Sequence, residues 1–544
     1  MSRSPEPPVF TWSSGASDDG RGSVYRSLLG LCVVAWFASM GQGRVATITV
    51  PSGADLQSVL THARPGDTIL LEAGATYVGN FTLPNNSGTD VITVQTASTG
   101  LPGDGERISP AFAPRLAKLR SPNSDPAMRT MPGAHHWRLQ LIEFPASADG
   151  DGEILRLGDG SSAQFSLAQV AHDLRVDRCY IHGDPGKPQK RGIALNSAST
   201  TVTGSYVAEI KAVGQDSQAI AGWNGPGPFT ITNNYLEAAG ENIMFGGADP
   251  AIPSLVPSDI TIANNQVIKQ IGWRAMSWQV KNLLELKNAS RVTIRDNTFD
   301  YNWQAAQPGF AILFTVRNQD GGCPWCRVER VTFQGNAVRH SAGGVSILGM
   351  DDAHPSGQTQ SIIIRNNTFA DIDNAHWGGS GYFLQLLDAP RDVIVDHNTI
   401  VQDHAYGILT MDGPPISGVS VTNNLARRNA YGIIGRDHAP GNDSIAAYLP
   451  ASVFRSNVIA DADAAEYPRD NVFPTSDQFR AQFVSYNDGD YRLVANSAWR
   501  KAGTDGADLG APASVAAATP PSLPFAPVLD VRWGLQRLLD DQFR

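Results

Sequence analysis

Two basic residues and a run of carboxylates stand at equivalent places in this chain, each just after a short apolar segment. Leu283-Leu-Glu-Leu286 leads into Lys287-Asn288, and Phe310-Ala-Ile-Leu-Phe314 leads toward Arg317-Asn318. Val345-Ser-Ile-Leu348 precedes Asp351-Asp352, Tyr382-Phe-Leu-Gln-Leu386 precedes Asp388, and Tyr406-Gly-Ile-Leu409 precedes Asp412. If these segments are stacked strands, about 4.8 Å apart, their exits form a ladder in which Lys287 and Arg317 are neighbours and Asp351, Asp388 and Asp412 continue in order. Glu285 is the acid nearest Lys287. A basic pair beside a run of carboxylates on one long face suits an extended polysaccharide, and Lys287, Arg317 and Glu285 are the candidate reactive residues. Asp351, Asp352, Asp388 and Asp412 would then contact substrate, with Trp303 as a sugar-stacking aromatic.

The elements that would position these residues follow from a second pattern. Ile260-Thr-Ile-Ala-Asn-Asn265-Gln-Val267 recurs as Val292-Thr-Ile-Arg-Asp-Asn297-Thr-Phe299, and again around Asn234, Asn336, Asn367, Asn398, Asn424 and Asn457. Cys179 and Ser205 hold the Asn place upstream. A period of roughly 26 to 39 residues means a solenoid, because one copy cannot bury its own apolar face and stacked copies must share a core. The fold expected is an all-β solenoid of stacked strands with a short N-terminal capping helix at Asp55–Ala63, where residues 56, 59 and 60 form one apolar face. The recurring Asn is read as structural: it can bond to its neighbours in adjacent coils and tolerates left-handed backbone angles.

The remaining chain divides as follows. Residues 1–43 hold an apolar run, 27–38, behind Arg21 and Arg26, and read as a secretory signal. Cap and first coils span 44–127, the repeats 128–475, a C-terminal coil or cap 476–511, a Pro/Ala-rich linker 512–527, and a tail 528–544. An exported or periplasmic monomer is expected, with no stable membrane insertion once the signal is removed. The formal charge of −10 speaks against a nucleic-acid partner. In an oxidising compartment Cys323-Pro-Trp-Cys326 reads as a local disulfide closing an inserted loop, and Cys179 as a buried small residue. His340, His354, His397, His404 and His438 read as structural or solvated, and Trp223, Trp273, Trp278, Trp325 and Trp377 as packing or stacking residues.

The opening helix and strand, His136-Trp-Arg-Leu-Gln-Leu-Ile-Glu-Phe144 and the Asn-ended strands resemble secreted right-handed parallel β-helix proteins of the pectate-lyase-like superfamily. Within it, Glu285-Leu-Lys287-Asn-Ala-Ser-Arg-Val-Thr-Ile-Arg-Asp-Asn-Thr-Phe299, with Val316-Arg317-Asn318 and Gly343-Gly344, resembles chondroitinase B and related alginate lyases. The resemblance implies β-elimination on a uronate-containing, acidic polysaccharide, with Lys287 as base removing the C5 proton and Arg317 as acid or charge stabiliser. It also implies calcium as a cofactor, but the places of that family's acidic calcium ligands are taken here by Val280 and Asn282. Two other readings compete: a glycosidase using paired Asp residues on the same face, and a non-catalytic polysaccharide-binding protein. Lys287 and Arg317 together in an open groove favour an enzyme; burial of either in a loop contact favours binding alone.

Overall fold

A computed structural model describes residues 45–516, so the expected signal segment and the 528–544 tail lie outside the described residues. Three parallel sheets of 14, 13 and 12 strands run side by side through the described chain. Each coil gives one strand to each sheet in turn. A representative coil passes from Ala289–Arg295 in the 14-stranded sheet to Thr298–Asn302 in the 13-stranded sheet. It continues through Phe310–Thr315 in the 12-stranded sheet and returns to Val328–Gln334. This is a right-handed parallel β-helix. The alternation of apolar residues explains it: Val292 and Ile294 point inward and are at most 1% exposed, and their partners Val331 and Phe333 stack on them in register. A column of Phe299, Phe333, Phe369 and Phe383 runs through the shared core.

The Asn ladder sits between the first and second strands of each coil. Asn265 Oδ1 accepts both the backbone N–H (2.9 Å) and the side-chain N–H (3.0 Å) of Asn234, and Asn297 Oδ1 does the same for Asn265. The pattern continues through Asn336, Asn367, Asn398, Asn424 and Asn457 and ends on Asn471. Ser205 and Cys179 extend it upstream as expected from their positions. One expectation is corrected. The left-handed residue is the one before each ladder Asn, as at Asn264 (φ 55°), Asp296 (57°) and Asn366 (57°), not the Asn itself. That residue makes the corner, which frees the ladder side chain to turn inward and leaves it buried.

Both ends of the stack carry added elements. Helix Leu56–His62 buries Leu56 and Leu60, and Asp55 caps it by accepting from the Ser58 N–H. Near the C-terminus, helix Ser476–Arg480 and the hairpin Phe483–Ser485 with Asp490–Leu493 pack Phe479, Phe483, Tyr486 and Trp499 against Ala370, Val401, Leu425 and Val458. Those four belong to successive coils, so the segment covers the side of the 13-stranded sheet. Residues Ala513–Ala516, within the stretch expected as linker, form a helical turn. Among the described residues no helix is long and apolar enough to cross a membrane.

Candidate active site

The turn from the 12-stranded to the 14-stranded sheet carries the expected site residues. In the strand Asn282–Leu286, Leu284 and Leu286 enter the core, whereas Asn282 and Glu285 face outward and meet: Asn282 Nδ2 donates to Glu285 Oε2 at 3.0 Å. Lys287 follows. Its N–H donates to Phe245 O (2.7 Å), and its Nζ lies 3.6 Å from Glu285 Oε1. The coil before provides the room: Gly246 has φ 95°, and a Cβ there would come within 2.8 Å of Lys287 Cβ. Only 14% of the Lys287 side chain is exposed, so it is an outward-facing but largely covered group.

Arg317 arrives one coil later and donates its N–H to Lys287 O at 2.9 Å, so the two are neighbours. Its Nη1 is shared between Asp351 (2.6 Å) and Asp352 of the next coil. Burial alone would lower its pKa, but these two carboxylates outweigh that and raise it, keeping the guanidinium charged. Among the described residues Nε and Nη2 make no bond. Burial works to raise the Asp351 carboxyl, yet the Ala353 and Asn318 N–H groups and Arg317 hold it below the usual range. Asp388 behaves oppositely: burial first, then the charges of Asp352 and Asp412, push it up. Asp412 pairs with Arg436 at 2.8 Å.

The exits are thus adjacent but staggered. Leu348, Leu387 and Asp412 are in register, while Arg317, Asp351 and Asp388 lie further along their turns. The turns differ in length: only two residues separate Leu286 from Ala289, but the segment 316–327 is an inserted loop closed by the Cys323–Cys326 disulfide. Asp249 accepts from the N–H groups of Gln319, Asp320 and Gly322, and Trp325 donates to Leu255 O. The loop therefore straddles the coil of Lys287 from the coil after it to the coil before it.

Trp303 is not part of this ladder. It lies at the turn between the second and third strands, 5% exposed, in a cluster with Trp273, Val280, Ala342 and Trp377. The apolar contacts that bury the indole remove the open face that sugar stacking needs. Conversely, the structure adds residues that sequence reading passed over. Glu241, fully buried, stands in register with Asn282, receives Gln218 Nε2 (2.9 Å) and pairs with Lys281 (3.2 Å). Burial raises the Glu241 pKa most, and the Glu285 and Asp216 charges add to it. Lys281 also holds Asp216 at 2.6 Å; Glu241 and Asp216 overcome its burial and keep it charged. The clue in the sequence was the alternation Lys281, Glu285, Lys287 around one strand.

These donors do not fit calcium, which takes six to eight oxygens. Val280 is apolar and 1% exposed. Asn282 Oδ1 is buried without a partner, but the Asn282 carbonyl already accepts from Lys269 Nζ, whose five contacts include Asn242 Oδ1 and the carbonyls of residues 238–240. Glu241 is committed to Lys281. The Lys269 and Lys281 amino groups occupy the oxygen-rich region that a cation would need.

The family comparison agrees with this fold. The family model described as "Right handed beta helix region" matches residues 159–424. No curated protein matches in sequence. Among solved structures, a PL6 family alginate lyase is similar at 14% identity and a TM-score of 0.46, over 78% of this chain and 53% of that one, so the chain spans about half of that enzyme's length. A mannuronic acid specific polysaccharide family 6 lyase from human gut microbiota is similar at 12% and 0.46, over 77% and 87%. A GH136 lacto-N-biosidase from Eubacterium ramulus is similar at 10% and 0.38, over 79% and 68%. Similarity at this level says nothing of activity.

Proposed function

We propose that this protein is an exported enzyme that cleaves a uronate-containing polysaccharide by β-elimination. The observation that carries the reading is the direct bond between the turns of Lys287 and Arg317 on adjacent coils. Lys287 Nζ accepts the C5 proton. The electrons of the broken C5–H bond form the C4–C5 double bond, and the C4–O bond breaks with its pair leaving on oxygen, which takes up a proton as a hydroxyl. The free Nε/Nη2 edge of Arg317 neutralises the substrate carboxylate as charge builds. Glu285 positions the base. Asp351 and Asp352 orient Arg317.

A second reading rests on Asp388. A carboxyl whose pKa is raised by burial beside two further carboxylates, Asp352 and Asp412, suits the acid of a glycosidase pair. The two separate cleanly. Purified protein is mixed with alginate, pectate, chondroitin and heparin-type chains, following the ultraviolet absorbance of unsaturated uronates and the release of reducing ends. Elimination raises both, and Lys287→Ala abolishes both. Reducing ends without absorbance, lost in Asp388→Asn, would replace elimination with hydrolysis. Neither signal on any chain would leave a binding protein, the reading that the largely covered Lys287 side chain favours.

A further inference from the structure

A second constellation lies upstream on the same edge of the stack. In the 14-stranded sheet the strands from His135–Gln140 onward carry a left-handed residue near their start, and at such a bulge two consecutive side chains project outward. In the strand His135–Gln140 that residue is His136 (φ 57°), and in its neighbour His172–Asp177 it is Asp173 (φ 52°). Ala134 and Trp137 are buried on either side of the first pair, and Ala171 and Leu174 on either side of the second. His135 and His172 are in register. Two adjacent coils therefore present a square of His135, His136, His172 and Asp173. The same two positions hold Ser258-Asp259, Ser290-Arg291 and Gln360-Ser361 further along, so imidazoles gather at one place only in this column.

The three side chains converge. His172 Nδ1 is 2.7 Å from Asp173 Oδ2, and His136 Nε2 is 3.9 Å from the same oxygen. One ligand atom from each of His136, His172 and Asp173 lies within 4.8 Å of the other two. Ligand atoms around a tetrahedral ion with bonds of 2.0–2.1 Å lie about 3.4 Å apart, between the two spacings seen. His135 supplies the outer support that such sites need. Its Nδ1 meets His136 Nδ1 at 2.7 Å. When His136 donates there, its Nε2 carries the free lone pair and faces Asp173. The His135 and His172 rings stack at 4.9 Å, which fixes both planes.

We propose that His136, His172 and Asp173 bind one divalent transition-metal ion of the zinc class, with His135 as the positioning residue. Two imidazoles and one carboxylate suit that class better than calcium or magnesium. Three protein ligands leave the fourth position open to water or an anionic group. Four strand spacings separate His172 from the Ala289–Arg295 strand that follows Lys287, about 19 Å, so the metal site is separate from the proposed base.

The test uses tag-free full-length protein, stripped with chelator and titrated with Co²⁺, followed by displacement with Zn²⁺. Visible cobalt bands saturating at one equivalent per chain are expected. His172→Gln and the solvent-facing Asp173→Asn should each weaken binding by at least about tenfold, and His135→Gln by about tenfold through loss of orientation. Melting of each variant without metal shows whether it folds; if His172→Gln does not, Asp173→Asn decides. Absence of cobalt bands, or unchanged affinity in a folded His172→Gln or Asp173→Asn variant, would overturn the site. The readout is independent of any lyase activity.

Discussion

Two columns of turns run along the same coils and could hardly differ more. At the turn between first and second strands every coil from Asn234 to Asn457 offers the same residue, buried, and from Asn265 on each Oδ1 takes two N–H groups from the coil before. At the turn between third and first strands the residues change from coil to coil, charges of both signs appear, and pairing is uneven: Lys287 with Glu285 within one coil, Arg317 with two aspartates and Asp412 with Arg436 across coils. Repetition answers a demand every coil shares, satisfying buried backbone at a corner. Variety answers a demand made only once. A repeat protein thus separates what holds the stack from what the stack presents.

The contrast is broken most sharply by exchanging effects between the columns. Lys287→Ala is expected to reduce elimination by about 10²-fold or more with little change in unfolding midpoint, measured by absorbance rate and denaturant titration; equal loss in both would make Lys287 a structural residue. Asn297→Ala should do the reverse. It leaves the Asn265 N–H groups and the Ile262 carbonyl without their partner, at a cost of about 3–5 kcal/mol summed over the buried groups, while the activity of the molecules still folded is retained. Asp351→Asn loosens Arg317 and should raise KM more than it lowers kcat. Because the Asp351 pKa is depressed in the fold, its contribution to stability is present above the ordinary carboxylate value and lost as pH falls through the depressed one; the variant should flatten that acid limb.

The smallest effect expected concerns His397, the corner residue before Asn398. Burial works against its charge, but Asp396 and Asp505 overcome this and raise its pKa. The stabilisation is therefore full below the ordinary histidine value and is lost as pH rises through the raised one. Hydrogen exchange should show residues 500–510, which His397 ties to the ladder through Asp505 (3.4 Å), opening more readily above neutrality. His397→Gln should remove that pH dependence.

The fold was legible because its causes are local and repeated: alternating apolar residues and an Asn at each corner recur often enough to be read. The adjacency of Lys287 and Arg317 was legible for the same reason, since both follow recognisable strands. What stayed hidden depends on side-chain register between coils of unequal length. Glu241 and Lys281 lie at strand entries, where alternation fades, and meet only because Glu241 stacks on Asn282. The pairing of Arg317 with Asp351 needs the lengths of two irregular loops. Trp303 was misplaced because an aromatic at a turn looks alike in sequence whether it faces water or fills a cluster. The histidine square joins residues 36 to 38 positions apart across an irregular segment, and only the pairing of His135 with His172 brings them together.

The most direct measurement is the initial rate of unsaturated-uronate formation by wild type, Lys287→Ala and Asn297→Ala on one responsive polysaccharide, each normalised to folded protein. The account predicts wild-type rates for Asn297→Ala and almost none for Lys287→Ala. Elimination that survives in Lys287→Ala, or that fails equally in both variants, would contradict it.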